Sequence, residues 1–377
     1  MREPLIRISK QSSLPKWAGW LIRIGGLFLS LVVCGILLNI MFGLNPIIVY
    51  VKMANGIFGF EYVHTFRDML VYAIPWIRDT LILLLIAIGL APAFKMRFWN
   101  IGAEGQIMVG AIAAAACMIK LGDSAIPNWI LLVMMGAAAM VAGAAWGALP
   151  AISKSYWNTN ETLFTLMMNY VAIQLTMFLI PLWEQPKGSN SIGVINRASK
   201  AGWFPPVLNG ETTGTNVTLT LLLVAAVCVL MFFYLRNSKQ GYEIAVVGES
   251  ENTARYAGIS VRKVIIRSML ISGAICGLAG FVTVAGADHT LSETTAGGRG
   301  FTAIIVAWLA KFNTFIMIAI AALIVFLEKG AIALATEFGV SNDVSHMITG
   351  IVLFFVLASE FFVNYRVQIR GLSKGRK

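Results

Sequence analysis

Residues 236–267 read RNSKQGYEIAVVGESENTARYAGISVRKVIIR and lie between two long apolar runs. The preceding run, Val217–Leu235, and the following run, Ser268–Ala287, contain no charged residue. Each run has close to the ~20 apolar residues that cross ~30 Å of hydrocarbon as an α-helix. The stretch therefore predicts a membrane protein in which a polar segment, called here the polar island, emerges between two spanning helices.

The composition of the whole chain agrees with this prediction. Its 377 residues are 58% hydrophobic and 12% charged, which is more apolar surface than a soluble fold of this length can bury. Long unbroken runs favour helices, because a membrane barrel would show short alternating segments. We predict an all-α, polytopic transmembrane helix bundle of about ten segments, some of them broken or re-entrant. The expected segments are Leu21–Phe42, Met69–Phe94, Ile101–Ile119, Trp129–Ile152, Thr162–Leu182, Val217–Leu235, Ser268–Ala287, Phe301–Phe312, Phe315–Ala335 and Val344–Phe362.

Basic residues predict the orientation of the bundle, because loops rich in Lys and Arg stay on the cytoplasmic side. Six of these residues lie in the polar island, and more lie near both ends of the chain. We therefore expect a cytoplasmic tail at 1–20, a transmembrane domain at 21–364 with a cytoplasmic loop at 236–267, and a basic cytoplasmic tail at 365–377. The net charge of +11 is then a topology signal with some attraction to membrane lipid, and no nucleic-acid partner is expected.

Several kinds of chemistry have no motif in this sequence. The four cysteines lie singly in apolar segments, which predicts neither disulfides nor a metal site. The chain has no Gly-x-x-x-x-Gly-Lys-[Ser/Thr] loop for ATP phosphates, no His-Glu-x-x-His pair and no Gly-x-Ser-x-Gly elbow. No catalytic residue is therefore predicted, and the chain is not expected to be an enzyme.

Polar residues inside the apolar segments are the next candidates, because a charge in a spanning helix costs about 2.5–3.5 kcal/mol. The pair Arg78 and Asp79 is expected to mark a helix boundary, with the span beginning at Thr80; a gating or substrate role is the alternative. Residues 98–106 read FWNIGAEGQ, which suits a discontinuous helix. Tight helix packing, with Glu104 satisfied by a neighbour, is an equal alternative.

Two further polar stretches resemble this pattern. Residues 296–301 read AGGRGF before another short apolar run, which hints at two related halves with an interrupted element in each. Residues 158–162 read NTNET and predict a helix start, with Asn158 or Asn160 as the cap. Asn169 lies two turns further on, where a buried amide either joins helices or contacts cargo.

These motifs together identify a family. Residues 98–106 resemble the Phe-x-Asn-Ile-Gly-Ala-Glu-Gly-Gln motif of ABC-importer permeases in the branched-chain amino acid and simple-sugar superfamily. Residues 160–172 are similar to the Asn-Glu…Asn-Tyr-Ile-Ala helix of that family, and 241–259 to its Ala-Arg-Tyr-Ala-Gly-Ile loop. Residues 298–309 resemble its second-half Gly-x-Gly-Phe segment. The Gly-Ala-Glu-Gly-Gln form looks most like the purine-nucleoside permeases.

The chain departs from the family pattern at two places. Ser250 stands where asparagine is usual, and residues 310–314 lack the proline of the expected Gly-x-x-Asn-Pro turn. The shape of that second turn is therefore open.

The resemblance implies a permease subunit that works with other proteins. Its expected partners are ATP-binding subunits, a second permease that in this branch is expected to be non-identical, an extracytoplasmic substrate-binding protein, a small-molecule solute and membrane lipid. No cofactor is expected in this chain, since ATP and Mg²⁺ belong to the ATP-binding subunits. The expected location is a bacterial-type inner membrane.

The resemblance also implies the site residues. A coupling helix at Glu251–Ala257 is expected to fit a cleft of the ATP-binding subunit. The residues assigned to coupling are Gly241, Tyr242, Glu249, Ala254, Arg255, Tyr256, Ala257 and Gly258. The residues assigned to the translocation path are Asn100, Glu104, Gln106, Asn160, Glu161, Asn169, Tyr170, Gly298, Gly300 and Phe301. No metal ligand is assigned.

Alternatives to a nucleoside-like solute stay open at this point. The same machinery serves simple sugars and branched-chain amino acids in this superfamily. A different class, an ion-coupled carrier or channel, would need acids within the membrane, and Glu104 and Glu360 are the clearest candidates. A membrane enzyme is a third class, without any assembled nucleophile or metal set.

Overall fold

The computed structural model describes residues 6–10, 15–62, 65–184, 186–206, 217–339, 341 and 343–369. Within these ranges the regular secondary structure is helical apart from one two-stranded ribbon, β1 (Ile6–Lys10) with β2 (Tyr365–Ile369). The helices up to the polar island are α1 (Lys16–Phe42), α2 (Pro46–Phe58), α3 (Phe66–Lys95), α4 (Ala103–Leu121), α5 (Asn128–Trp157), α6 (Glu161–Trp183) and α7 (Thr218–Asn237). The remaining helices are α8 (Lys239–Glu249), α9 (Glu251–Tyr256), α10 (Val261–Thr283, followed by a π-helical turn at Val284–Asp288), α11 (Arg299–Leu309), α12 (Thr314–Phe338) and α13 (Asp343–Asn364).

The predicted helical membrane bundle is confirmed. Nine helices in the described ranges are long and apolar enough to cross a membrane, and α2 and α11 are shorter apolar helices. The sequence prediction missed α2, because its 13 residues fall short of a span and include Lys52. Pro46 at its first turn and the Asn45 side chain, which accepts from Ile47 N at 3.0 Å, start this helix.

The expected helix boundary at Arg78 and Asp79 is wrong. α3 runs without interruption through both residues, and Asp79 is only 4% exposed. The helix tolerates the buried carboxylate because a cation pairs with it: Arg78 Nε lies 3.3 Å from its Oδ1.

The chain divides into two compact units, Met1–Ala73 with Leu323–Lys377, and Ile74–Ala322. In the first unit, α1 packs against α13, and Arg23 Nε donates to Glu360 Oε2 at 2.9 Å. β1 and β2 pair in antiparallel register, from Ile6 opposite Ile369 to Lys10 opposite Tyr365. The described residues 6–10 and 365–369 of the two predicted tails therefore come together, on the same side of this unit.

In the second unit, α10 is the central helix and packs closely on α4 and α5. Its glycines make this approach possible: a Cβ atom added at Gly273 would overlap the Gly143 carbonyl oxygen, and one at Gly277 would overlap the Ala139 carbonyl oxygen. Small residues let helix backbones approach in membranes, where dispersion rather than water release drives helix association. The close packing of α10 on α4 and α5 explains why the predicted segment Ser268–Ala287 contains no charged residue.

The loop after α6 folds back over the ends of α4, α5 and α10. Phe204 N donates to Ala285 O at 3.0 Å, a carbonyl of the π-helical turn, and Ile195 N donates to His289 O at 2.9 Å. The ring of Trp203 stacks on the His289 ring at 3.8 Å between centroids. In the connection between the predicted segments Thr162–Leu182 and Val217–Leu235, the structure thus describes 186–206, and residues 207–216 lie outside the described part of the chain.

Candidate functional site

The carboxylate of Glu104 joins the two glycine-rich segments that the sequence analysis singled out separately. It accepts from Gly298 N at 2.6 Å and from Gly300 N at 2.8 Å, and the residue is 6% exposed. Gly298 has φ +77°, which favours glycine, and a Cβ atom at Gly300 would lie 2.5 Å from Glu104 N. The acid thus fastens the first turn of α11 to the first turn of α4.

Asn169 holds the same turn of α4 from the opposite side. Its Oδ1 accepts from Gly105 N at 2.8 Å, and its Nδ2 donates to Ile101 O at 3.0 Å. The backbone before α4 is not helical, so these groups lack the usual helix partners. The buried amide therefore joins α6 to the first turn of α4 and the turn before it.

Asn100 closes the turn ahead of α4. Its Oδ1 accepts from Gly102 N at 3.1 Å, and its Nδ2 lies 3.3 Å from Ser272 Oγ on α10. The amide of Gln106 faces the amide of Asn100 at 3.4 Å. Together with Glu104 and Asn169, these groups form a buried polar network, called here the Glu104 network.

An ion pair holds α11 at the neighbouring residue. Arg299 lies between the two glycines bound by Glu104, and its Nη2 is 3.5 Å from Asp79 Oδ2. The side chain of Asp79 is 5% exposed, so this pair is well shielded from water. α11 is therefore held at its start by two carboxylates, one on its backbone amides and one on its arginine.

The structure separates the residues assigned to the path into two groups. Five of them are buried inside this chain: Asn100, Glu104, Gln106, Asn169 and Gly300. Five are partly buried or exposed: Asn160, Glu161, Tyr170, Gly298 and Phe301. The buried group has its hydrogen-bonding capacity directed at this chain's own backbone and side chains, whereas Tyr170 and Phe301 present rings at the surface.

The start of α6 follows the capping rule. Asn160 Oδ1 accepts from Leu163 N at 3.1 Å, while Asn158 instead ends α5 in the left-handed conformation at φ 52°. Glu161, in the first turn of α6, pairs with Lys154 of α5 at 3.0 Å. The cap and this pair position α6, so these two path residues have a local structural role.

The polar island folds into two short helices and the first turns of α10. Ser238 Oγ caps α8 by accepting from Gly241 N at 2.9 Å, and Ser250 Oγ caps α9 by accepting from Thr253 N at 3.3 Å. The predicted coupling helix corresponds to α9. The helix α10 begins at Val261, so the last residues of the polar island form its first turns.

One face of α8 and α9 is anchored in a hydrophobic core. Ile244, Val247 and Ala254 are buried against Met96 and Phe98, which follow α3. A Cβ atom at Gly248 would overlap the Lys95 carbonyl oxygen, so α8 lies directly on the end of α3. Glu243 also pairs with Arg267 at 2.9 Å, which ties α8 to α10.

The other face of the two helices is open. Tyr256 is 94% exposed and Tyr242 66% exposed, which is unusual for aromatic side chains on an anchored element. Glu249, Arg255, Ala257 and Gly258 are exposed beside them, whereas Gly241 and Ala254 are buried at the base. We call this exposed face the coupling surface, after the prediction made for its residues from the sequence.

Sequence reasoning missed several residues at these sites. Thr165 Oγ1 accepts from Ile101 N at 3.2 Å, and Ser272 contacts Asn100; a single hydroxyl in an apolar helix gave no signal. Trp99 and Trp308 stack at 5.2 Å with both rings half-exposed. Among the described residues, no group of three or more His, Cys, Asp or Glu side chains is placed to hold a metal ion.

Comparisons with known proteins agree with this architecture. Residues 72–357 match the family described as branched-chain amino acid transport system, permease component. A guanosine ABC transporter permease protein of Bacillus subtilis is 32% identical over 86% of this chain and 89% of its own length. A glucose ABC transporter permease protein of Haloferax volcanii is 28% identical over 97% and 94%, and a nucleoside ABC transporter permease protein of Lactococcus lactis is 27% identical over 81% and 86%. The predicted family is confirmed: this chain is a multi-pass membrane protein that belongs to the family of branched-chain amino acid transport system permease components.

Proposed function

We propose that this chain is the membrane-spanning permease subunit of an ATP-driven importer and forms part of the path for a nucleoside-like solute. The observation that carries the proposal is the coupling surface. It presents Tyr242, Arg255 and Tyr256 outward on helices whose opposite face is fixed in the core. Exposed aromatic and arginine side chains on a rigid base are typical of a protein–protein contact.

The energy for transport comes from partner subunits that bind at this surface. ATP and Mg²⁺ bind in those subunits, and this chain contributes no phosphate-binding loop and no cofactor. α9 enters a cleft of the ATP-binding subunit, where Arg255 offers charge-assisted hydrogen bonds and Tyr256 an amphipathic anchor. Closure of the ATP-binding subunits then shifts the permease between inward-open and outward-open states.

The contacts within the chain supply a route for that motion. α8 rests on the end of α3, and the same core contains Phe98. Asn100, two residues further on, begins the Glu104 network, which continues to α11. We infer that displacement of α8 reaches the start of α11 through these packed groups.

The solute path lies at an exposed face of this chain, completed by a second permease. This inference follows from burial, because the buried side chains of the Glu104 network have hydrogen-bond partners within this chain, whereas Tyr170 on α6 and Phe301 on α11 are exposed. The second permease is non-identical in this proposal, as the resemblance to the nucleoside branch implies. Aromatic rings at the surface suit a solute that carries a flat base.

The relatives support the choice of solute. Two of the relatives reported above carry the names of nucleoside transporters, and guanosine is the solute named for one of them. The glucose permease, which aligns over most of both chains, makes a simple sugar the second candidate. An extracytoplasmic binding protein delivers the solute, and it selects between the two.

We place the coupling surface and both tails on the cytoplasmic side of the cell membrane. The density of basic residues in the polar island and the tails supports this orientation. The β1–β2 pairing supports a common side for the two tails, because paired strands cannot lie across a bilayer from each other.

The ion-coupled carrier is disfavoured by the state of its two candidate acids. Glu104 accepts two backbone hydrogen bonds, and Glu360 accepts from Arg23 at 2.9 Å. An acid that takes up and releases a coupling ion needs an accessible path and an alternative partner. Both carboxylates instead have structural partners within their own unit.

Reconstitution tests the proposal directly. The permease chain, its partner subunits and the binding protein are placed in liposomes, and uptake of radiolabelled guanosine is measured with and without ATP. We expect uptake only with ATP and all subunits. Uptake by this chain alone, without ATP, would establish the carrier alternative. Competition for the binding protein by guanosine, glucose and leucine identifies the solute class.

A further inference from the structure

A polar cavity of 510 Å³ lies among the end of α5, α9 and the start of α10. Its charged lining residues are Lys154, Arg255, Arg262 and Glu251, so positive charge predominates. Lys154 pairs with Glu161 at 3.0 Å, and Arg255 pairs with Glu251 at 3.4 Å. Arg262 instead lies over the ring of Tyr156. A cavity of this volume is much larger than one water molecule needs and is lined by donors.

The start of α10 adds to the positive potential. Its N-cap residue, Ser260, makes no side-chain cap hydrogen bond, and no acidic residue lies in the first turn. Arg262 and Lys263 occupy that turn instead, where the helix dipole disfavours cations. An anion in the cavity would offset both the dipole and the cluster of basic side chains, and Ser260 is among its lining residues.

Aromatic residues beside the cavity indicate its level relative to the membrane. Tyr156 and Trp157 end the apolar helix α5 and are 59% and 72% exposed. Tyrosine and tryptophan at the ends of spanning helices lie among the lipid headgroups. The Arg262 guanidinium lies over the Tyr156 ring at 5.2 Å, so the same cation is at headgroup depth.

We propose that this cavity binds the phosphate headgroup of an anionic phospholipid. The basic side chains and the α10 N-terminus contact the phosphate, and Tyr156 and Trp157 contact the glycerol and the upper acyl chains. The proposal requires only that α5 spans the membrane. Because Arg255 belongs to both the cavity and the coupling surface, the bound lipid adjoins the contact with the ATP-binding subunit.

The test measures lipid retention by the full chain, purified together with the subunits that accompany it. Native mass spectrometry compares dioleoyl-phosphatidylglycerol with dioleoyl-phosphatidylcholine, and a separate arm uses inorganic phosphate. We expect the anionic lipid to be retained selectively. Arg262→Gln should weaken retention about fivefold, the effect of one basic residue near an anionic surface.

Lys263→Gln is the matched control, because it removes a neighbouring exposed cation that does not line the cavity. It should change retention less than about twofold, and Arg262→Lys should recover part of the loss. Equal losses of lipid retention in Arg262→Gln and Lys263→Gln would show that the lipid is held only by non-specific attraction to basic residues, and would overturn the proposed site. Equal retention of phosphatidylcholine would also overturn it, and binding of free phosphate as tight as that of the lipid would overturn the lipid assignment. None of these readouts depends on transport.

Discussion

The Glu104 network and the coupling surface are both built on polar side chains, but these side chains are directed in opposite ways. Glu104 and Asn169 direct their polar atoms at backbone groups of their own chain and are buried. Arg255 and Tyr256 project from an anchored helix and are exposed at the surface of the chain. The exposed ion pair between Arg255 and Glu251, at 3.4 Å, contributes little to the stability of the fold. The first region stabilises the permease fold, and the second is available to a partner.

This difference shows how to assign a polar residue in a membrane protein. A polar group whose hydrogen bonds are completed inside the chain has a structural cost when it is removed. Removing a polar group that is exposed on an otherwise rigid element has an effect only when the partner protein is present, because the group stabilises the contact and not the fold. The predictions below separate stability from transport on this basis.

Glu104→Ala should have the largest effect, and it should fall on stability. It leaves the amides of Gly298 and Gly300 without their acceptor, at a cost of about 3 kcal/mol for two hydrogen bonds to a charged group. Thermal unfolding in detergent measures the loss. The stability of Glu104→Gln, which keeps one acceptor oxygen, should lie between that of the parent chain and that of Glu104→Ala. An alanine variant of normal stability that no longer transports would make Glu104 a path residue.

Gly300→Ala should reduce stability by about 2 kcal/mol through overpacking. The added methyl group would lie 2.5 Å from Glu104 N, where the backbone of α4 cannot move aside. Gly25→Ala in α1 is the control, because no atom lies within 4 Å of its added methyl group. Melting temperatures of the two variants give the comparison; an equal change in both would contradict the close contact between α4 and α11.

Arg255→Glu should leave folding unchanged and reduce ATP-dependent uptake at least about tenfold. The substitution reverses the charge on an exposed residue, so it acts on the partner rather than on the core. Uptake and ATP hydrolysis are measured in proteoliposomes, together with the melting temperature. The matched variant is Arg197→Glu, an exposed arginine in the loop after α6, which should transport normally. Full uptake by Arg255→Glu would exclude α9 as the coupling helix.

His289→Phe should have the smallest effect. Burial, with repulsion from the Arg78 guanidinium, lowers the pKa of His289 to about 4, so the ring is neutral at physiological pH. Both ring nitrogens lack a partner among the described residues, and phenylalanine preserves the stacking on Trp203. We expect a change within about 0.5 kcal/mol at pH 7.

The pH dependence gives this last prediction a sharper test. Because the folded pKa is below the unfolded value, the neutral ring's contribution to stability is complete above about pH 6.5 and is lost as the pH falls towards 4. The phenylalanine variant should lose less stability than the parent chain between these two pH values. If the stability of the variant and that of the parent chain fell equally over this pH range, His289 would be excluded as a contributor to the acid sensitivity of the fold.

Much of the fold could be predicted because its signals are local. The apolar runs predicted the spanning helices, and Asn158 or Asn160 was expected to cap α6, a role that Asn160 takes. α2 and the continuous α3 could not be predicted in the same way. Lys52 and Asp79 read as interruptions, and each is accommodated by oppositely charged residues that only the folded chain brings near.

For the candidate sites, too, local signals were readable from the sequence and contacts between distant residues were not. The motif residues Glu104, Asn169 and Gly300 were all found in the sequence, but their contacts were not. Glu104 and Gly298 are 194 residues apart, and nothing in either stretch specifies the other as its partner. The coupling surface was easier to find, because a basic, helix-forming insert between two apolar runs is a contiguous signal.

The sequence by itself determined that this protein is a helical membrane permease with a polar island between two spanning helices. Hydrophobic length and charge bias act locally along the chain, so they are readable without coordinates. Only the tertiary structure decided which polar residues are buried within the chain and which are open to a partner. Burial depends on contacts between distant segments, and the same glutamate or arginine has opposite consequences on the two sides of that division.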